Sequence, residues 1–205
     1  LAFHNCKKQK RPALITYTVA GDNTKNNSLK ILEKISKHAD ILELGFPHNT
    51  PIADGGQIQS SSHRALKNGI KLKDVFQIVR KFKKNNPHKP IILMGYFNLI
   101  YQNGENNFLK NCKLSGVDGL IIVDLPYPEN KNFANKCKRK SINFIQTPLS
   151  SFQAALDASA AAHWSKWQEA EAQALGSHLV SGLPRDRYLP PETYSHAASL
   201  RSQGS

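Results

Sequence analysis

Five short apolar runs punctuate the first 150 residues of the chain: ALITYTVA (13–20), ADILELGF (39–46), PIILMGYF (90–97), DGLIIVDL (118–125) and INFIQT (142–147). Their apolar character is continuous rather than alternating, which predicts strands of a parallel sheet covered on both faces. Between the runs the spacing changes. Leu72, Val75, Phe76, Val79 and Phe82 recur at helical intervals, with Lys and Arg on the opposite side. Leu29, Leu32 and Ile35 do the same earlier, and Phe108, Leu109 and Cys112 later, where Gly116 is placed to stop a helix. Strand and helix therefore alternate, which predicts an α/β fold with right-handed crossovers. No GxGxxG follows the first strand, so a β/α barrel is favoured over a dinucleotide-binding sheet.

Composition divides the chain near residue 150. All 15 isoleucines and all 17 asparagines lie before that point, while residues 151–205 hold 11 alanines and both tryptophans, Trp164 and Trp167. Two domains are expected: a partial β/α barrel over 1–150, and an Ala-rich, mostly helical then Pro-punctuated tail over 151–205 of unknown origin. The net charge of +13 raises nucleic acid as a partner, but the lysines are scattered over helix-like segments, and no Arg stripe with stacking aromatics accompanies them. Solvated helix faces are the expected reading. No apolar run is long enough to span a membrane. The start, LAFHNCKKQKRP, has neither an initiating Met nor a signal-peptide core, and is read as a cytoplasmic protein whose true start is missing. Cys6, Cys112 and Cys137 are odd in number and far apart, matching neither a zinc site nor a disulfide framework. No metal is expected.

Candidate chemistry collects at one end of the strands. Their last residues read AGD (20–22), ELGFP (43–47), MGYFN (94–98), VDLP (123–126) and QTP (146–148), and in β/α barrels the C-terminal strand ends and their loops form the active face. Glu43 lies inside an apolar run, and Asp54 in the loop that follows it. A half-buried Glu with a raised pKa acts as acid and then base, while a better hydrated Asp stays ionised. From the spacing alone a second reading stands beside this one, with Glu43 paired to a lysine and Asp54 a turn residue.

The motifs ALITYTVAGD, ADILELGFP followed by PIADGGQIQ, RALKNGI, PIILMGYFNLIYQNG and GVDGLIIVDLP recur here in order. Over residues 12–148 they resemble the first five β/α units of the tryptophan synthase alpha chain, a TIM-type barrel of eight units. The resemblance implies a lyase of tryptophan biosynthesis that cleaves indole-3-glycerol phosphate, by a retro-aldol reaction, to indole and glyceraldehyde 3-phosphate. It implies that Glu43 is the general acid/base and that Asp54 holds the indole N–H and stabilises the charge developing on the ring. Tyr17 and Tyr96 fall at pocket positions, where substrate contact and plain barrel packing both remain open. Thr50, Pro51 and Asn98 fall in regions facing a partner, and Asp124 reads as structural or partner-facing. That partner is the tryptophan synthase beta chain, in an alpha2beta2 heterotetramer. Pyridoxal phosphate belongs to the beta chain, and the alpha reaction needs no cofactor. Residues 48–51 read HNTP where many relatives have an FSDP-like run, so Thr50 stands in place of an acid.

The resemblance does not extend into the tail. Residues 151–205 contain no strand-like run and no Gly-rich loop suited to the substrate phosphate, and are too few for three further units of roughly 30 residues each. The chain as written is expected to be a poor catalyst. The alternative is a catalytically dead fragment or chimeric product that at most binds the beta chain.

Overall fold

A computed structural model describes residues 2–146, which lie within the first of the two units into which the chain divides, Leu1–Trp164. The tail at 151–205, and with it the expected boundary at 150, lies outside the described residues. Five strands form, β1 (Ile15–Val19), β2 (Ile41–Gly45), β3 (Ile91–Gly95), β4 (Gly119–Ile122) and β5 (Asn143–Ile145), each inside one of the five apolar runs. All are parallel, in the sheet order β1-β2-β3-β4-β5. Every strand lies beside its neighbour in sequence, so the order never reverses as it does in a doubly wound sheet. This is the progression of a β/α barrel.

Seven helices accompany the strands among the described residues: α1 (Ala2–Lys8), α2 (Lys25–Ile35), α3 (Gly56–Lys67), α4 (Leu72–Asn85), α5 (Phe97–Asn103), α6 (Glu105–Ser115) and α7 (Lys131–Arg139). In the outer layer α2 packs on α4, α4 on α6, and α6 on α7. Local chemistry sets their limits. Thr24 Oγ1 accepts the Asn27 amide at 3.1 Å to open α2. Asp74 closes back on the Lys71 amide at 2.9 Å to open α4, and the Lys25 ammonium sits 2.8 Å from the same carboxylate. Gly116 ends α6 in the left-handed region at φ 83°, and a side chain there would also crowd Lys83.

The sheet has a dry face and a half-open one. Leu42, Leu44, Ile91, Leu93, Leu120 and Ile122 are buried in one cluster with Leu32 of α2, Val75 and Val79 of α4, and Phe108 of α6. Strand register carries the opposite face across the sheet through Tyr17, Glu43, Ile92, Gly119 and Asn143. This is the inner face of the barrel, where Tyr17, Glu43 and Ile92 are only partly covered.

Ties at the strand entrances fix the register from below. Arg11 donates two hydrogen bonds to Asp40, at 2.7 and 2.8 Å, and Asp40 also accepts the Leu14 amide at 2.8 Å. The guanidinium, helped by that amide, holds the Asp40 carboxyl well below the usual carboxylate range. The Lys83 ammonium lies 2.7 Å from Asp118, whose carboxylate accepts the Ile91 amide at 2.9 Å.

Phe108 is fully buried and meets Phe46 and Phe76 edge-on, at centroid distances of 5.9 and 5.5 Å. Phe108→Ala is expected to cost about 3–5 kcal/mol through lost transfer energy and the cavity left behind. Urea unfolding followed by far-UV circular dichroism checks this, with a cost below about 1 kcal/mol counting against the packing described.

Candidate active site

Glu43 is the middle residue of β2, pointing to the inner face because its neighbours Leu42 and Leu44 are committed to the dry one. Its partner in register on β1 is Tyr17. Two residues further along β2, Gly45 leaves the space that the Tyr17 ring occupies; a Cβ at that position would collide with the phenol hydroxyl. The absence of a side chain at Gly45 thus lets Tyr17 lean across the end of β2, above Glu43.

Asp54 comes from the loop between β2 and α3, two residues before the helix begins. Contrary to the expectation of a better hydrated acid, it is more deeply buried than Glu43, at only 7% exposed, because its loop folds back under Tyr96. Its amide donates to the Pro51 carbonyl at 3.0 Å, and its own carbonyl accepts the Gln59 side-chain amide at 2.7 Å. The Tyr96 hydroxyl donates to Asp54 Oδ2 at 3.3 Å and accepts the Ala53 amide at 3.0 Å. The His48 ring stacks on Tyr96 with centroids 4.9 Å apart, and its Nδ1 accepts the Thr50 amide at 3.1 Å.

The electrostatics follow from this burial. Glu43 is pushed upward, first by desolvation and then by the negative charge of Asp54. Asp54 is also pushed upward by desolvation, against the opposing effects of the Tyr96 hydrogen bond and of His48. Burial raises both phenols well above their usual range, Tyr17 further through Asp54, Glu43 and Tyr96, and Tyr96 further through Asp54. Both remain protonated donors at neutral pH. Two carboxyls whose pKa values burial raises, close to neutral phenols, are suited to exchanging protons with a bound molecule.

Four residues named from the sequence, Glu43, Asp54, Tyr17 and Tyr96, therefore come together. The other named positions spread outward. Thr50 and Asn98 are exposed, whereas Pro51 is buried beneath its loop. Asp124 accepts the Phe97 amide at 2.7 Å and so opens α5, a structural task. Sequence reasoning did not single out His48, Gln59 or Gly45; only Gly45, a glycine inside a strand pattern, carried a signal of close approach. It also did not single out Ile52, Tyr101 and Tyr127, large exposed side chains in the segments following β2, β3 and β4. Among the described residues no group of three or more His, Cys, Asp or Glu is placed to hold a metal ion, and no helix is long and apolar enough to cross a membrane.

Known proteins resemble this chain in sequence and in fold. The family model described as "Tryptophan synthase alpha chain" matches residues 3–158, a span that begins before and ends after the 12–148 marked by the motifs. The tryptophan synthase alpha chain of Pelagibacter ubique (strain HTCC1062) is 71% identical over 146 residues, which are 71% of this chain and 55% of that one. The alpha chain of Pyrococcus furiosus is 44% identical over 133 residues, 65% of this chain and 53% of that one. Among solved structures, the alpha subunit from Legionella pneumophila str. Paris superposes with a TM-score of 0.68 at 34% identity, over 70% of this chain and 55% of that one. A structure of the Pyrococcus furiosus a2b2 complex gives 0.62 at 45% identity, over 64% of this chain and 56% of that one. The chain spans about half the length of the curated relatives it matches. With its five parallel strands in barrel order and a family match over most of its length, the chain belongs to the tryptophan synthase alpha chain family.

Proposed function

We propose that the chain carries the proton-transfer half of an indole-3-glycerol phosphate lyase site. The observation behind this reading is the pair of carboxyls, Glu43 half-buried on a strand and Asp54 buried on a loop, with the charge of Asp54 helping to raise the pKa of Glu43. In the retro-aldol cleavage, the Glu43 carboxyl protonates the indole ring carbon that bears the side chain. Asp54 accepts a hydrogen bond from the indole N–H and offsets the positive charge that then develops on the ring. The Glu43 carboxylate next takes the proton of the adjacent side-chain hydroxyl. The carbon–carbon bond breaks, its electron pair returns to the ring, and indole and glyceraldehyde 3-phosphate separate. The proton given and the proton taken balance, so no cofactor takes part.

The partner under this reading is a beta chain, with pyridoxal phosphate bound there. Ile52, Tyr101 and Tyr127, with Thr50 and Asn98, give the face at the strand ends exposed apolar and polar groups suited to docking. A cytoplasmic setting fits the three cysteines, all buried as free thiols. Binding without catalysis is the second reading, favoured by the exposed Ile52, Tyr101 and Tyr127 in the segments after the strands.

Indole release from indole-3-glycerol phosphate, with and without the beta chain, tests the proposal. Glu43→Gln is expected to lower it by at least about 100-fold, the loss usual for a positioned acid/base. Beta-chain stimulation with no indole release that depends on Glu43 establishes the binding reading instead. The coupling between the acids has its own test in Asp54→Asn. Removing the negative charge relieves the ionised form of Glu43, so its titration midpoint must move down; burial remains, and the midpoint stays above the ordinary glutamate value. Carboxyl carbon NMR across pH reads this directly, and a midpoint that stays or rises rejects the pairing.

A further inference from the structure

Tyr96 lies one residue beyond β3, at the start of α5, and is only 5% exposed. Its hydroxyl has one proton to give, and that proton goes to Asp54 Oδ2 at 3.3 Å; its oxygen accepts the Ala53 amide at 3.0 Å. The phenol thus grips two successive residues of the loop, one by its backbone and one by its carboxylate. Tyr96 is itself braced. Asp124, from the segment after β4, fixes the next amide in the chain, Phe97, at 2.7 Å, and the His48 ring covers the phenol face. A run of contacts therefore crosses from the β4 loop, through the end of β3, to the acid on the loop after β2.

We propose that Tyr96 is a positioning residue that sets the Asp54 carboxylate, its hydroxyl being committed to the loop rather than to the substrate. This rests on the reading of Asp54 as a group of the lyase site, and it gives an acid on a loop a defined position. Phenylalanine at this position keeps the ring, its burial and the His48 stack, and removes only the two hydrogen bonds. The hydroxyl also favours the ionised form of Asp54. Purely structural packing predicts no change at Asp54 on its loss; positioning predicts several.

The test is Tyr96→Phe in the full 205-residue chain. The Asp54 carboxyl midpoint, read by carbon NMR, is expected to rise, and hydrogen exchange at the Ala53 amide to quicken by about tenfold or more. Where the wild-type chain turns over, kcat is expected to fall about tenfold with KM within about threefold, the pattern of a lost transition-state interaction. Site-specific 3-fluorotyrosine at position 96 is a stronger donor and keeps the native shape, so it is expected to move the Asp54 midpoint down. An unchanged Asp54 midpoint in both proteins overturns the proposal. A chain that releases no indole but shows both midpoint shifts removes the lyase reading and leaves Tyr96 as the anchor of the loop. A chain that releases indole with no midpoint shift does the reverse.

Discussion

The constraint on which the rest depends is the register of β2 between β1 and β3. Leu42 and Leu44 are fully buried against the helical layer, in register with Ile91 and Leu93 of β3. Side chains alternate along a strand, so burying those two leucines leaves Glu43 no choice but the inner face. A slip of one residue would put a carboxylate into the driest part of the molecule and two leucines into the mouth. The cost of burying an unpaired charge is large enough to make that slip inaccessible. The helical layer that stabilises the sheet therefore also places the acid, and the Arg11–Asp40 tie at the strand entrances holds β2 against β1 from the other end.

Placement sets the chemistry through water. Glu43 and Asp54 both lose solvent, and Glu43 loses it beside the negative charge of Asp54, so neither behaves as a free carboxyl. Tyr17 and Tyr96, both neutral phenols, stand close to this pair, and His48 lies beside Asp54. A lysine beside Glu43 would neutralise its charge and pull its pKa down, which suits structure and not proton transfer. The contrast is visible in the same molecule. Asp22 and Asp40 each meet an arginine, and their carboxyls are lowered. The carboxyls that are raised are those facing tyrosines.

How much of this was legible in the sequence follows the range of the interactions involved. The five strands were legible because continuous apolar runs mark a sheet buried by helices, a local signal. The stripe on α4 and the glycine stop of α6 were legible for the same reason. Helix α3, reading GQIQSSSHRALK, was not, since serines replace most of its apolar stripe and it buries only Ser62 and Ala65. Helix α5 has seven residues, too few to display a period. In the site, Glu43 announced itself as an acid within an apolar run, and Asp54 as the second member of a recurring motif. The role of Tyr96 stayed open between packing and substrate contact, because what its hydroxyl meets depends on residues 42 and 43 positions away in sequence. His48 gave no signal at all, since its stack on Tyr96 exists only once the loop has folded back.

These differences in range describe two ways of holding an acid. Glu43 is fixed by the main chain of a central strand, and every hydrogen bond of the β1–β2 and β2–β3 ladders contributes to its position. Asp54 has no ladder. Its loop leaves β2 at Phe46 and regains regular structure only at Gly56, so its order comes from discrete bonds, among them those to the Pro51 carbonyl, the Gln59 amide and the Tyr96 hydroxyl. A strand-held group tolerates loss of any one bond, because its neighbours share the load. A loop-held group loses a definite part of its order with each bond removed. The loop after β2 is accordingly where modest changes in sequence alter function first. The HNTP stretch lies in that loop, with His48 against the phenol that grips Asp54.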